Sequence, residues 1–424
     1  MDLPSSVNGG ATAETPFRKP FASHFVAKIA SSYFSSIQSV STMNLGLLRE
    51  GFRDVEKKDL WHGVFLKIES CSSEYKLTQK EGKKRENAKL NRYSNIIPHD
   101  HSRVILSDNK YINANHVLLR DTSLNLILTQ GPLSNTQKEF WQMIWEKKCG
   151  TIIMLTRFVE NGRSMSHPYL PSVNDATGEG NTLTVGIFEI TETEMVHREH
   201  FDMRKLIMRS KESNEELVVA HYHLTCWPDF EVPQGTDQFL DVLAELHKQD
   251  SMDGSAPTVV HCSAGVGRSG TFAAVYACIL KVKRTGELNM IDLPNLIVEL
   301  RKYRMGLVQT PEQLRYCWKV VLDAVGSSKW RSLLGIPEPE EPDTADGDRA
   351  DLGDGSVRPP KRRRSGKGNQ DVLEVIDSGN GAVKIAEHNL RTTVIIIIII
   401  IILLLLSILF IFELYWGILS NPSP

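Results

Sequence analysis

The stretch PTVVHCSAGVGRSGTFAAVYACILKVKR (257–284) constrains the fold of this chain more than any other. Its small and apolar beginning predicts a short buried strand, and its end carries apolar residues at helical spacing. The loop between them contains two glycines, Gly265 and Gly267. The stretch therefore predicts a strand that leads through a tight loop into the N-terminus of a helix, as in α/β folds. The apolar run TIIML (151–155) and the helical pattern QGTDQFLDVLAELHKQ (234–249) agree with that class.

The segment from Cys262 to Ser269 has the residue types of an anion-binding loop that carries a nucleophile. Glycines let successive backbone N–H groups turn towards one point, next to the positive end of the following helix. Arg268 adds a planar fork of donors that suits two phosphate oxygens. The same dipoles stabilise the Cys262 thiolate, and Ser269 is placed to donate a hydrogen bond to it. A lone cysteine would favour a packing role, whereas the complete string predicts a phosphate dianion bound above a sulfur nucleophile.

Composition argues against several other functions. The chain has 49 Lys and Arg residues against 51 Asp and Glu residues, so net charge predicts no nucleic-acid partner. The six cysteines occur singly and never as a CxxC pair, which argues against a zinc site and against a disulfide framework. No metal and no cofactor are expected, because the loop amides and Arg268 supply the charge that a metal would otherwise provide.

The loop resembles the catalytic loop of the protein-tyrosine phosphatases, and the resemblance extends from about Phe52 to Leu334. The other matching segments are NRYSNI (91–96), DHSRV (100–104), YINAN (111–115), LTQGPLSNTQKEFWQMIWE (128–146), WPDF (227–230) and RKYRMGLVQTPEQLRY (301–316). With its hydrophobic tail, the chain looks most like the small non-receptor enzymes of the endoplasmic reticulum, the type 1B and T-cell phosphatases. The resemblance implies an α/β fold, a twisted mixed β-sheet flanked by helices. It also implies hydrolysis of protein phosphotyrosine through a cysteinyl-phosphate intermediate.

The resemblance implies a catalytic role for six residues. Asp229 would protonate the leaving tyrosine and later act as a base, and Gln309 would position the attacking water. In the loop, Cys262 would be the nucleophile and Arg268 the phosphate clamp. The catalytic residues within the loop are His261, Cys262, Arg268 and Ser269.

The resemblance also implies a deep substrate pocket, because Tyr93 would stack on the phosphotyrosine ring and exclude phosphoserine. Glu160 would hold Arg268 in a bidentate pose, and Gln313 would accompany Gln309. Phe230, Ala264 and Val266 would line the slot for the aryl ring, with Gln130 on the far side of the site. The remaining substrate-binding positions are Asn95, Ser263, Gly265 and Gly267.

Four positions near this pocket depart from the type 1B pattern. Ser94 and Asn95 stand where an arginine and an aspartate are usual, and Met165 stands where a lysine is usual. Glu69 falls near the position at which an arginine completes the second aryl-phosphate pocket of the type 1B enzyme. We therefore expect a weakened preference for acidic peptides and for tandem-phosphotyrosine peptides.

Two alternative functions remain open at this point. A phosphotyrosine-binding pseudophosphatase is favoured only by Glu231, which stands where the family usually has glycine and which resists backbone angles that glycine adopts. A dual-specificity or phosphoinositide phosphatase would use the same loop chemistry. Such enzymes have shallower pockets and lack the aromatic NRY segment (91–93).

The C-terminal run predicts a membrane anchor. From Val394 to Phe412 every residue except Ser407 is apolar, which is long enough to span a bilayer. An isoleucine tract that aggregates is the alternative. Lysines and arginines precede this run and none follows it, so the positive-inside rule places the bulk of the protein in the cytosol. We expect a tail anchor on the cytosolic face of the endoplasmic reticulum, with the nucleus as a less favoured location.

Composition divides the chain into four parts. Residues 1–48 form an N-terminal extension expected to be disordered, and residues 49–335 form the catalytic domain. Residues 336–391 form a flexible linker, first acidic and then basic, and residues 392–424 hold the anchor and a short tail. The basic, proline-containing part of the linker (357–367) also fits contact with an SH3 domain or an import receptor.

Overall fold

The computed structural model of the protein describes residues 45–172, 181–225, 227, 232–249 and 254–337. Within these ranges the helices are α1 (Leu45–Lys57), α2 (Trp61–Ser73), α3 (Gln137–Glu146), α4 (Asp237–Lys248), α5 (Arg268–Thr285), α6 (Leu293–Tyr303), α7 (Pro311–Gly326) and α8 (Ser328–Leu334). Short 3-10 helices cover Arg85–Leu90 and Leu288–Met290. The strands are β1 (Ala114–Leu119), β2 (Leu124–Thr129), β3 (Thr151–Met154), β4 (Val159–Glu160), β5 (Arg163–Ser164), β6 (Thr182–Val185), β7 (Phe188–His197), β8 (Phe201–Ser210), β9 (Glu216–Leu224) and β10 (Thr258–His261).

A mixed eight-stranded sheet organises the fold, in the order β1-β2-β10-β3-β9-β8-β7-β6. Strand β10 lies between β2 and β3 and is parallel to both, and β3 is parallel to β9. The outer strands pair antiparallel. Because the four central strands run the same way, their carboxyl ends meet at one edge, where α/β sheets usually bind ligands. The loop that begins at Cys262 leaves β10 at this edge.

Both faces of the central sheet are covered. Along β10, Val260 packs into a core with Phe272 of α5, whereas Val259 packs into a second core with Trp141 of α3. Successive strand residues point to opposite faces, so a strand buried on both sides must be apolar throughout. This explains why the short run PTVV could be recognised in the sequence, and it fixes the root of the loop rigidly.

The expected mixed α/β architecture is confirmed, including the strand and helix on either side of the loop. Helix α1 begins at Leu45, four residues before the predicted domain start, and it buries Leu48 and Val55 in the core. The N-terminal boundary was therefore placed slightly too late.

Most of the predicted N-terminal extension and nearly all of the predicted linker lie outside the described residues. The predicted anchor (392–424) lies entirely outside them. None of the helices in the described ranges is both long enough and apolar enough to cross a bilayer.

Candidate active site

The loop from Cys262 to Arg268 closes around the cysteine sulfur. Cys262 is 5% exposed, and the backbone N–H of Gly265 donates to its Sγ at 3.3 Å. Gly265 has φ +71°, and a Cβ atom at this position would lie 2.0 Å from the carbonyl oxygen of Thr129. Only glycine can therefore take this backbone path against β2, and the path aims an amide at the sulfur.

The segment before α7 lies against Gly267 of the loop and Gly270 in the first turn of α5. A Cβ atom at Gly267 would lie 2.7 Å from Gln309 Oε1, and one at Gly270 would lie 2.4 Å from the backbone nitrogen of Val308. The Val308 N–H donates to the carbonyl oxygen of Val266 at 3.0 Å. The absence of side chains at these two glycines thus allows the segment before α7 to reach the loop.

The backbone before α7 is held in an unusual conformation. Val308 has φ +60°, which is rare for a β-branched residue and costs about 1–3 kcal/mol. Its carbonyl oxygen accepts a 2.7 Å hydrogen bond from Arg301, which helps to fix the angle. Thr310 then caps α7 by accepting from the Gln313 N–H at 3.1 Å, and Pro311 occupies the first helical position. Gln309 and Gln313 consequently both face the catalytic loop.

Arg268 is fixed by a bidentate ion pair with Glu160. Its two terminal nitrogens lie 2.7 and 2.8 Å from the two carboxylate oxygens. Glu160 also accepts from Thr156 Oγ1 at 2.8 Å and from the Arg157 N–H at 2.9 Å. Burial acts to raise the pKa of Glu160, but these hydrogen bonds and the charge of Arg268 outweigh it and hold the pKa below its usual range. The pair is therefore ionised at neutral pH and orients the guanidinium.

The loop forms one wall of a cavity of about 420 Å³. Tyr93 is 38% exposed at the mouth, and its hydroxyl lies 2.9 Å from Ser263 Oγ. Asn95 lines the cavity beside Tyr93. The remaining residues expected from the sequence that line it are Cys262, Ser263, Ala264, Gly267, Arg268, Gln309 and Gln313. The structure thus brings a nucleophile, an anion clamp and an aromatic wall into one pocket.

Some expected site residues lie elsewhere. Gln130 is buried outside the pocket lining and binds backbone instead, accepting from the Arg92 N–H at 2.8 Å and donating to the Leu90 carbonyl at 2.9 Å. Val266 is fully buried in the core and does not line the cavity. Neither Gln130 nor Val266 thus lines the described cavity, and Gln130 supports the segment that carries Tyr93.

Other expectations have a different outcome. Gly265 contributes its N–H to the sulfur and does not line the cavity. Glu160, in contrast, holds Arg268 in the expected bidentate pose. Ser269 is fully buried, but within the described residues its Oγ has no hydrogen-bond partner, so the expected bond to the sulfur is not formed. Asp229 and Phe230 lie outside the described residues.

Comparison with known proteins decides the family. The model of the protein-tyrosine phosphatase family matches residues 87–323. The chain belongs to the protein-tyrosine phosphatase family. It is 34% identical over 286 residues to tyrosine-protein phosphatase non-receptor type 2 of Homo sapiens, which covers 67% of this chain and 67% of that protein. It is 35% identical over 294 residues to tyrosine-protein phosphatase non-receptor type 61F of Drosophila melanogaster, which covers 67% of this chain and 52% of that protein.

The chain is thus a non-receptor protein-tyrosine phosphatase, a hydrolase of phosphoric monoesters. Within this phosphatase, Arg304 has a role that the sequence alone does not indicate. Arg304 is fully buried and donates to the carbonyl oxygens of Gly265 at 2.9 Å and Ala264 at 3.0 Å. It also donates to the side chains of Asn115 at 2.8 Å and Asn113 at 2.9 Å. By holding two loop carbonyls outward, Arg304 keeps the loop amides turned towards the sulfur.

A chain of hydrogen bonds runs beneath the phosphatase loop through two histidines. His261 Nδ1 lies 3.0 Å from the Cys262 carbonyl oxygen and must donate to it, because that oxygen can only accept. Burial lowers the pKa of His261 to about 4, so its Nε2 carries no proton at neutral pH and accepts from the Tyr169 hydroxyl at 2.7 Å. The hydroxyl has only one proton, so it accepts from His221 Nε2 at 2.8 Å. Neither nitrogen of His261 is free to act as a base towards the sulfur.

These buried histidines predict an acid-sensitive fold. The pKa of His261 is about 4 in the folded state and about 6.5 when unfolded, so between these values only the unfolded chain gains the proton. Burial lowers the pKa values of His221 and His223 in the same direction. The free energy of unfolding should therefore be highest with respect to these histidines above pH 6.5. It should fall as the pH drops towards 4, by up to about 1.4 kcal/mol per pH unit for each histidine.

Urea denaturation at pH 7, 6 and 5 measures this dependence. His261→Asn is the matched variant, because its amide N–H can still donate to the Cys262 carbonyl while nothing titrates at position 261. Its stability should fall less steeply over this range than that of the wild type. Parallel curves for the two proteins would mean that His261 does not carry the effect.

Proposed function

We propose that this phosphatase hydrolyses phosphotyrosine on proteins through a cysteinyl-phosphate intermediate. The observation that supports it most is the position of Cys262, at the end of a buried parallel strand and within 3.3 Å of a loop amide. Arg268, at the end of that loop, is held by Glu160 through two short ion-pair contacts. This arrangement provides a sulfur nucleophile and fixed positive charge around one anion.

In the first step, the Cys262 sulfur attacks the phosphorus, so that an S–P bond forms and the bond to the tyrosine oxygen breaks. Asp229 gives its proton to that leaving oxygen, which would otherwise leave as a poor phenolate group. Loop amides and Arg268 bind the three non-bridging oxygens as charge shifts onto them. The role of Asp229 rests on the WPDF match (227–230), since Asp229 lies outside the described residues.

In the second step, a water molecule attacks the phosphorus and the sulfur leaves as a thiolate. Asp229, now a carboxylate, accepts the water proton. Gln309 orients this water, and its position next to Gly267 supports that role. The buried Ser269 hydroxyl can turn to donate to the departing sulfur, which would give it the hydrogen bond that a buried polar group requires.

Selectivity for tyrosine follows from the depth of the pocket. Tyr93 stands at the mouth and is tied to Ser263 of the loop by a 2.9 Å hydrogen bond. An aryl phosphate can reach the sulfur while its ring lies against Tyr93. The shorter side chain of phosphoserine would leave this wall uncovered and its phosphate short of the loop.

A substrate panel tests the proposed function with the full-length wild-type chain. One peptide would be prepared with phosphotyrosine, phosphoserine or phosphothreonine at the same position, and a phosphoinositide would be assayed beside it. We expect turnover of the phosphotyrosine peptide only, undiminished by EDTA. Rapid quenching followed by mass spectrometry should find a phosphoryl group on Cys262.

Each alternative has its own signature in this panel. Tight phosphotyrosine binding without turnover would identify a pseudophosphatase, and Glu231→Gly would then be the first reversion to make. Comparable turnover of phosphoserine or of the lipid would identify a dual-specificity or phosphoinositide phosphatase.

We also propose that residues 392–424 anchor the protein to the cytosolic face of the endoplasmic reticulum, with residues 336–391 as the linker. The apolar run and the basic residues before it support this proposal. Cell fractionation of the full-length chain should recover it in membranes resistant to carbonate extraction, whereas a chain ending at residue 391 should be released. Nuclear recovery of the full-length chain would favour an import receptor at 357–367 instead.

A further inference from the structure

A short hairpin brings a cation to the mouth of the catalytic cavity. Strands β4 and β5 pair so that Glu160 lies opposite Arg163, and the turn between them has positive φ at Asn161 (47°) and Gly162 (74°). This tight turn keeps the two strands in register. Glu160 is buried against Arg268, whereas Arg163 is exposed and lines the cavity.

Arg163 has no anion of its own to bind. Its cross-strand neighbour Glu160 is already saturated by donors from Thr156, Arg157 and Arg268. Within the described ranges, the side chain of Arg163 makes no hydrogen bond and no ion pair. An exposed guanidinium in this state is available to a ligand.

The neighbouring arginine cannot take the same role. The Arg92 guanidinium donates hydrogen bonds to three backbone carbonyl oxygens, those of Gly131 at 3.0 Å, Ser164 at 2.9 Å and Pro132 at 2.7 Å. The bond to Ser164 ties the hairpin to the segment that carries Tyr93. Arg92 therefore helps to fix Arg163 at the mouth of the cavity.

None of the described residues that line the cavity is acidic, so none of them could pair with Arg163 in place of a ligand. The charged residues of this lining are Arg163 and Arg268, and the second is already paired with Glu160. Asn95, which also lines the cavity, is neutral. Arg163 is thus the exposed charge that a bound peptide would meet in this part of the site.

We propose that Arg163 is a specificity-determining residue that binds an acidic side chain close to the phosphotyrosine in the substrate. This inference rests on the proposed function and names a substrate class for the same site. A neighbour one or two positions along an extended peptide lies within about 7 Å of the phosphotyrosine backbone, a distance that an arginine side chain can bridge. The departures at Ser94, Asn95 and Met165 predict a weak preference for acidic peptides, and Arg163 restores part of that preference.

The test compares peptides that share one phosphotyrosine and differ only in Asp, Ala or Lys at positions −2, −1, +1 and +2. With the full-length wild type, we expect kcat/KM at one of these positions to be about two- to fivefold higher for Asp than for Ala, as for an exposed ion pair. This ratio should fall towards one in Arg163→Gln and in 0.5 M salt. Arg163→Glu should favour Lys at the same position, and Arg163→Lys should keep part of the preference.

Arg120→Gln is the matched control, because Arg120 is also exposed but lies far from the site in the sheet. It follows the end of β1, which pairs with the start of β2, whereas the catalytic loop lies at the carboxyl ends of the central strands. This variant should leave every ratio unchanged. The affinities of the same peptides can also be measured with Cys262→Ser, which requires no turnover. This measurement separates the proposed catalysis from the proposed role of Arg163 in specificity. Absent turnover with a charge ratio that still depends on Arg163 would refute the proposed catalysis and keep the inference. A ratio that is unchanged in Arg163→Gln, or an equal loss on all peptides, would refute the inference and leave the catalysis intact.

Discussion

Cys262→Ser is expected to lower phosphotyrosine turnover by at least about 10,000-fold while phosphopeptide binding persists. A serine hydroxyl at this position would need a base to become a nucleophile. His261 cannot supply one, since its Nδ1 donates to the Cys262 carbonyl and its Nε2 accepts from Tyr169. The binding groups remain, because the loop amides and Arg268 do not depend on sulfur. Steady-state kinetics and fluorescence anisotropy with a labelled phosphotyrosine peptide measure the two quantities separately.

Other thiols should not replace Cys262. Burial in the apolar core raises the pKa values of Cys149 and Cys278 to about 12, so both stay protonated and inert at neutral pH. Cys71→Ser is the matched control, because Cys71 is a partly exposed thiol on α2, outside the pocket lining. This variant should keep full activity. Appreciable turnover by Cys262→Ser would mean that the nucleophile lies elsewhere.

The sequence predicts this site well where its parts are close together along the chain. Cys262 and Arg268 are six positions apart, between an apolar strand and a helix whose patterns are local. The position of the glycines between them determines the loop geometry. At position 265 only glycine can adopt the positive φ and lie so close to the backbone of Thr129. The sequence pattern of this segment therefore agrees with the backbone conformation that it adopts, and the loop could be predicted.

The sequence predicts less where a contact joins distant segments. Gln130 and Val266 stand next to expected pocket residues, yet one supports the Tyr93 segment and the other fills the core. Their side-chain directions depend on which strand lies beside them, and no periodicity of their own segments reports that. Arg163 was overlooked for the same reason, since only the register of β4 and β5 brings it to the cavity.

Arg304 is the clearest case of a residue that only the fold makes functional. Its four acceptors come from two separate parts of the chain, the side chains of Asn113 and Asn115 and the loop carbonyls of Ala264 and Gly265. Burial lowers the pKa of Arg304 to about 10, so the guanidinium is still charged at neutral pH. Within a signature segment such as RKYRMGLVQTPEQLRY (301–316), nothing distinguishes this arginine from the exposed Lys302 beside it.

Arg304→Met is expected to lower the free energy of unfolding by about 3–5 kcal/mol and kcat by about 100-fold. The methionine fills part of the space but leaves four buried acceptors without a donor, and each such group costs about 1–3 kcal/mol. Without the pull on the Gly265 and Ala264 carbonyls, the loop amides no longer converge on the phosphate, and a lost transition-state donor costs about 100- to 1,000-fold. Chemical denaturation gives the first quantity, and kcat on the folded protein gives the second.

Arg331→Met separates these two effects. Arg331 is also buried, 4% exposed, but it lies in α8 and donates to the Val325 carbonyl at 2.7 Å, outside the pocket lining. This variant should lose stability and keep its kcat below the unfolding transition, because no loop carbonyl depends on it. If both variants lost stability and neither lost kcat, Arg304 would be a structural arginine only. A loss of kcat confined to Arg304→Met would instead make the buried arginine the residue that holds the phosphate loop ready for its substrate.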